Sequence, residues 1–382
     1  MGIKVGIDAS RNRSGGARGH IIGIITALNG VLPKGVDEIH VWSYDSLLSK
    51  LPDYTWLKKH THESFNKGLA SQLIWQYFNL CNEAKRYKID IMLNTDAGTV
   101  SRFKPSVTMS RDMLSYEKGE MQRFGISLQR LRLIALKYVQ NNSLRKSASA
   151  IFLTKYAAEV IQKSSGKIKS YKIIPHGISE NFRNSLKVWK DFEKKNAPIR
   201  CIYVSNVAPY KHQIHVAKAI WYLKNRKHIN ISITFVGGGE GFAQDVLNKY
   251  LNEVDPESTF ITQLEFVNHN ELPKLIKKSD LFIFASSCEN MPNTLIEGMC
   301  SGLPIVCSNR GPMPEVLQDG GCYFNPEEFS EIAFAIEKLI KNEKLRTDLA
   351  VRSLELSHNY SWHKCSLETF DYLVKTYENI TK

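Results

Sequence analysis

No apolar run in the 382 residues approaches the ~18–20 that a membrane-spanning helix needs, so a chain threaded through a bilayer by helices is excluded. The seven cysteines (Cys81, Cys201, Cys288, Cys300, Cys307, Cys322, Cys365) include no C-x-x-C pair, and their number is odd. Five lie within or beside apolar runs, which reads as reduced core thiols rather than a disulfide frame or a zinc site. Short repeats and low-complexity tracts are absent, so solenoids and fibrous folds are excluded as well. The opening stretch MGIKVGIDAS lacks the basic region, long apolar segment and cleavage site of a secretory signal, and reads as a first buried strand.

Acidic residues are scarce in the first half. Residues 1–190 carry 30 basic and 14 acidic side chains, whereas the remainder carries 21 basic and 24 acidic. The whole formal charge of +13 therefore belongs to the first half, which suggests an anionic partner for that half alone. The apolar fraction of 43% is that of a globular protein, and the length predicts two domains.

Short β-rich runs alternate with helical stretches in both halves. Strands are expected at Ile3–Ala9, Glu38–Tyr44, Asp90–Thr95, Ser106–Ser110, Ala150–Thr154 and Lys172–Pro175. In the second half they are expected at Arg200–Ser205, Ile231–Gly237, Gln263–Asn268, Asp280–Ser286 and Pro304–Asn309. Several are nearly continuous apolar runs, the pattern of strands covered on both faces, so two doubly wound α/β domains with parallel sheets are expected. The polar stretch 179–198 is the best linker. Ligands of such sheets bind beyond the carboxyl ends of the strands. Glycines, basic residues, amides and carboxylates gather there: RNRSGGARGH after the first strand, NVAPYK after Ser205, GGGEG after Val236 and SCENMPNT after Ala285.

The segment Ser286–Leu317 is the most informative. Pro292 and Asn293 are placed at a helix start, with Asn293 as the expected cap, and Gly302 and Pro304 close the helix. Such a terminus suits a phosphate. Glu289 before it and Glu297 inside it would repel an anion but suit sugar hydroxyls on either side of a diphosphate. Lys211, at the start of another helix, is electrostatically misplaced unless an anion sits there, although a solvated lysine remains an alternative. The glycines at 237–239 permit close backbone approach, as would a plain turn.

Asn206 to Lys211, the glycines at 237–239, Glu289-x7-Glu297 and GLPIVCSNRGPMPEVL together resemble the C-terminal domain of family-4 retaining glycosyltransferases, as in bacterial surface-polysaccharide and O-antigen enzymes. The likeness extends to Gly15-Gly16, Asp112 after SVTMSR, IFLTKYAAEVI and IIPHGI. It implies the GT-B fold: two Rossmann-like domains facing across a cleft, residues 1–178 on the acceptor side and 199–360 binding a nucleotide sugar. The final helix, 361–382, would return to the first domain. By the same resemblance Glu289 would meet the donor sugar, Glu297 the ribose, and Lys211 with the amides near Asn293, Thr294 and Leu295 the diphosphate. Gly15, Gly16 and Gly238 would admit close backbone approach, and the backbone at Asn268 and His269 would contact the base. Asp112 would act on the acceptor side. Two departures from the family pattern stand out: Asn206 replaces an arginine, and Arg111 stands where histidine is common. Arg11, Arg13 and Arg18 are candidates to restore the missing charge.

The implied reaction transfers a hexose-type sugar from a UDP- or GDP-sugar to a glycan or polyprenyl-phosphate-linked acceptor, with retention. No D-x-D motif occurs, so no metal or other cofactor is expected. Between Glu120 and Glu159 no acid intervenes, while Arg123, Arg130, Arg132 and Lys137 do. Within that stretch Leu128, Leu131, Ala135 and Tyr138 recur at helical spacing, which fits either an anionic membrane surface or an ordinary core helix with a basic outer face. Lipid-linked acceptors favour a cytoplasmic protein held peripherally at the inner face of the cell membrane. His176 fits a structural role better than that of a base, and His212 with His215 lacks the further ligands of a metal site. Trp56, Trp75 and Tyr77 fit core or acceptor lining equally. A nucleotide-sugar 2-epimerase of the same fold is the alternative enzyme. A nucleic-acid-binding protein is disfavoured, because no binding module or aromatic-basic interleaving is present.

Overall fold

The computed structural model describes residues 2–12, 15–183 and 198–381. The chain divides into two units, residues 1–177 with 360–382, and residues 178–359.

In the first unit the strands are β1 (Ile3–Asp8), β2 (Val36–Trp42), β3 (Leu57–His60), β4 (Ile91–Asn94), β5 (Ser106–Met109), β6 (Ser149–Phe152) and β7 (Tyr171–Ile173). They form one parallel sheet in the order β3-β2-β1-β4-β5-β6-β7. Every residue of β4, β5 and β6 is buried, as continuous apolar runs require when helices cover both faces. The order reverses direction between β1 and β4, which creates a crevice at their carboxyl ends.

The closing helix, Trp362–Thr381, belongs to this unit and packs on the Gly15–Thr26 helix. Gly23 makes this possible: a Cβ there would lie 2.3 Å from the Trp362 ring. The hydroxyl of Ser366 donates to the carbonyl of Ile24 at 2.6 Å, locking the two helices in register.

The second unit contains β8 (Ile199–Val204), β9 (Ile231–Val236), β10 (Ile261–Leu264), β11 (Leu281–Phe284), β12 (Ile305–Ser308) and β13 (Cys322–Phe324). Its sheet is also parallel, in the order β10-β9-β8-β11-β12-β13, and reverses between β8 and β11. The core is aliphatic and aromatic, with Phe282, Phe284, Ile305 and Val306 all fully buried.

Ten of the eleven expected strands lie within two residues of their expected bounds. The run Gln263–Asn268 is displaced: β10 begins at Ile261 because its register pairs Ile261 with Ile233, and Phe266 projects into solvent at 87% exposure. β3 (LKKH) and β13 (CYF) were not expected, since short edge strands carry too few apolar residues to signal themselves. Of the expected linker, residues 184–197 lie outside the described residues, whereas Glu180–Phe182 forms a helical turn with Phe182 buried.

The Leu128–Lys146 helix is capped by the Ser127 hydroxyl, which accepts from the Arg130 amide. It buries Leu133, Gln140, Asn141 and Leu144. The stripe Leu128, Leu131, Ala135 and Tyr138 is exposed, so an assignment of those four residues to the core does not hold.

Candidate active site

Both polar centres of the second unit stand at the carboxyl ends of β8 and β11, on either side of the point where the strand order reverses. After β8 the chain runs through Asn206 into the turn Pro209–Lys211, and after β11 through Glu289 into the helix Asn293–Cys300. Because β8 and β11 are neighbours, Lys211 and Glu289 meet and form an ion pair, both nearly buried. The ammonium of Lys211 also lies 5.3 Å from the Tyr210 ring centre and 5.9 Å from that of Phe284. Its backbone is fixed from below by the Tyr203 hydroxyl, which donates to the Lys211 carbonyl at 2.7 Å. Lys211 is thus neither a solvated surface lysine nor free of a counter-charge, as its sequence position alone suggested.

His212 follows in the left-handed region (φ 54°) and starts the next helix. Its Nε2 is 2.9 Å from the Ser287 hydroxyl, and the Ser287 amide donates to the Tyr210 carbonyl at 2.8 Å. These bonds tie the two loops together. His215 is 3.2 Å from His212, but no cluster of three or more metal-ligating side chains exists among the described residues.

The second polar centre is Glu297, 6% exposed, one turn inside the Asn293–Cys300 helix. His269 Nε2 sits 2.9 Å from its Oε1. Its other oxygen, Oε2, is buried and has no hydrogen-bond partner. Burial pushes the Glu297 carboxyl above the usual carboxylate range, and Glu297 in turn raises the His269 imidazolium. An unpaired buried carboxylate oxygen costs free energy unless a ligand donates to it. The neighbouring Asn293 Oδ1 is in the same position. Asn293 does not cap the helix: Pro292 is the N-cap residue and no side chain bonds the first turn. Amides of that turn have no partner within the helix, which leaves those of Thr294 and Leu295 available; the Leu295 side chain itself is core.

The three glycines serve packing of the loops. Gly237 has φ 125°, and a Cβ there would lie 2.3 Å from the Ser205 carbonyl oxygen. One at Gly239 would lie 2.4 Å from that of Val207. The Gly238 amide donates to Glu265 and its carbonyl accepts from Val207. Asn206 is exposed, and its carbonyl accepts from Gln213 at 2.8 Å. Asn268 is exposed in a turn, where its side chain accepts from the Asn270 amide.

In the first unit Gly15 and Gly16 open the Gly15–Thr26 helix, and nothing lies within 4 Å of a Cβ built at Gly15. Arg11 bonds the Gly98 carbonyl and stands 3.6 Å from Asp96, so its charge is already opposed. Arg18 donates to the Ser46 carbonyl at 3.2 Å, and Arg13 lies outside the described residues. Asp112 accepts from the Leu114 amide and from Gln140, and burial raises its carboxyl. Arg111 donates to the Ala17 carbonyl and is lowered to about 10 by burial. His176 is buried and stacked 4.7 Å from His20, beside Trp362, which is a packing position. Trp75 is core, while Tyr77 is exposed.

Two parallel sheets of this kind, each with a polar loop cluster at its order reversal, define the GT-B architecture. Residues 187–353 match the family model described as "Glycosyl transferases group 1", a span that contains Lys211, Glu289 and Glu297. The chain is 25% identical over 170 residues to the O-antigen chain mannosyltransferase B of Escherichia coli, covering 44% of each. It is 28% identical over 214 residues to the capsular polysaccharide biosynthesis glycosyltransferase CapH of Staphylococcus aureus, covering 53% of this chain and 57% of that one. The chain thus spans about half the length of the curated relatives it matches. The solved structure of Anabaena Alr3699/HepE in complex with UDP-glucose superposes with a TM-score of 0.74 at 17% identity, over 98% of this chain and 100% of that one. The fold is therefore the GT-B one of such solved structures, and residues 187–353 are similar to group 1 glycosyltransferases.

Proposed function

We propose that the protein is a retaining glycosyltransferase that moves a hexose-type sugar from a UDP- or GDP-sugar to a hydroxyl of a glycan or polyprenyl-phosphate-linked acceptor. The bacterial surface polysaccharides, among them O-antigens and lipopolysaccharide, are the products it would build. The observation that carries this reading is Glu297: a buried carboxylate with one oxygen held by His269 and the other without a protein donor. A ribose diol supplies the missing donors. The Lys211–Glu289 pair would then separate its two tasks, Lys211 turning to the diphosphate and Glu289 accepting from the sugar hydroxyls.

The bond between the anomeric carbon and the diphosphate oxygen breaks, and a bond from that carbon to the acceptor oxygen forms on the same face. The acceptor proton passes to the departing diphosphate, so no protein nucleophile is needed. Lys211 and the amides at Thr294 and Leu295 stabilise the charge that grows on the leaving group. Asp112, in the other unit, is proposed to orient the acceptor. The sequence has no Asp-x-Asp pair to clasp a cation, and the transfer is proposed to need no metal. The charge of the first half supports peripheral attachment at the inner face of the cell membrane; no helix among the described residues is long and apolar enough to cross one.

The test is transfer from a panel of UDP- and GDP-sugars, with the product anomer read by NMR and excess chelator present. Retention and undiminished turnover are expected. An inverted product, or loss of turnover on chelation, overturns the mechanism. A 2-epimerised nucleotide sugar formed without acceptor overturns transfer itself.

A further inference from the structure

In the first unit the Leu69–Phe78 helix and the Leu128–Lys146 helix flank a cavity of about 450 Å³. Arg102, Lys104 and Lys146 line it, and no carboxylate does. At its wall Asn94 is 3% exposed, and its Oδ1 has no hydrogen-bond partner; the Ser143 hydroxyl is buried and unpartnered as well. Lys104 bonds the Lys146 carbonyl and the Ser106 hydroxyl, both neutral acceptors, so its charge stays uncompensated there. Three cations, a hydroxyl donor and an amide acceptor suit a phosphoryl group attached to a hydroxylated neighbour.

The surroundings of this cavity are apolar and open. Tyr77 and Tyr138 line it, and Arg102 lies 5.1 Å above the Tyr77 ring. Outward from Tyr138 the exposed stripe continues through Leu131 (64%) and Leu128 (85%) to Ile126. Outward from Tyr77 it continues through Ile74 and Phe78, at 61% each. Large side chains so exposed on two adjacent helices mark an interaction surface rather than ordinary surface composition. Neither helix contains an acidic residue, and Arg130, Arg132 and Lys137 lie along the longer one. A second copy of this chain is a poor occupant, because self-pairing would bring the same cations together. An anionic bilayer satisfies both the apolar stripe and its basic border.

We propose that this two-helix face docks on an anionic phospholipid bilayer, its apolar side chains entering the interface and the Lys104–Lys146 cavity receiving a lipid phosphoryl headgroup. This deepens the peripheral attachment proposed above and rests on it for the choice of a lipid partner, but not on the donor chemistry. The experiment is co-sedimentation of the full chain with phosphatidylcholine vesicles, with and without phosphatidylglycerol. Roughly tenfold or greater enrichment on the anionic vesicles is expected, with each removed lysine weakening partition by roughly fivefold. Lys104→Gln with Lys146→Gln loses the anionic preference, and Leu131→Ser with Tyr138→Ser loses attachment at unchanged charge. All four positions are exposed, so the melting temperature holds in both variants and unfolding does not confound the result. Equal recovery on both vesicle types, or wild-type binding by both variants, overturns the proposal. Thermal stabilisation by inorganic phosphate that disappears in the lysine variant, without vesicle binding, assigns the cavity to a soluble phosphate ester and overturns the lipid assignment. Nucleotide-sugar binding measured on the same variants stays at the wild-type level, which separates failure of this face from failure of the donor site.

Discussion

His269 Nε2 lies 2.9 Å from Glu297 Oε1, so an imidazole at the surface holds one oxygen of a carboxylate that is otherwise sealed in the protein. The contact joins the turn after β10 to the helix after β11, and it orients the free oxygen that the donor reading requires.

That pair makes stability depend on pH in a defined direction. The His269 pKa is raised by Glu297, so its contribution is complete below the unfolded value of ~6.5 and fades as pH rises through the folded value. The raised Glu297 acts in the same sense, since the folded state holds its proton longer than the unfolded state does. The melting temperature of His269→Gln should therefore lie furthest below the wild type near pH ~6, the two converging as pH rises through the raised folded value. A gap that does not change with pH contradicts this coupling.

Lys211 and Glu289 compensate each other in a nearly buried position. Lys211→Ala leaves an unpaired carboxylate and should cost about 3–5 kcal/mol of stability. The double variant Lys211→Met with Glu289→Gln should lose less than Lys211→Ala, because it leaves no charge behind. Both should lower kcat by roughly 10²–10³, the usual loss when one group stabilising a leaving anion is removed. Denaturant titrations and initial rates separate the two effects.

Two glycines should respond differently. Gly237→Ala forces a Cβ to 2.3 Å from the Ser205 carbonyl oxygen at φ 125°, and should cost roughly 2 kcal/mol or more. Gly15→Ala meets nothing within 4 Å, and should change stability by less than about 0.5 kcal/mol. A fall in donor affinity for Gly15→Ala without a fall in melting temperature would assign that glycine to ligand approach.

The sequence made the two-sheet architecture legible because buried parallel strands are continuous apolar runs, as in LFIF and IVCS. It did not reveal β3, whose LKKH is charged, or β13, which has only three residues. Glu289, Glu297 and Lys211 were legible as residue types beyond strand ends. Their pairing was not: Lys211 and Glu289 are 78 positions apart and meet only because β8 and β11 are neighbours. His269 was expected to contribute backbone alone, and the reach of its ring to Glu297 depends on where the turn after β10 folds. The stripe on the Leu128–Lys146 helix had the right period for a core face, and only the placement of the helix shows which side it covers.

Thermal stabilisation of the wild type by a panel of UDP- and GDP-sugars, repeated with Glu297→Ala, tests whether that carboxylate holds a nucleotide sugar. Binding to the native state raises its stability in proportion to the logarithm of ligand concentration over Kd. Donor binding at Glu297 predicts saturable stabilisation by at least one nucleotide sugar in the presence of chelator. It predicts binding weakened by roughly 10- to 100-fold in Glu297→Ala, as expected for loss of a buried charged acceptor. An undiminished shift in Glu297→Ala, or no shift with any member of the panel, would contradict it.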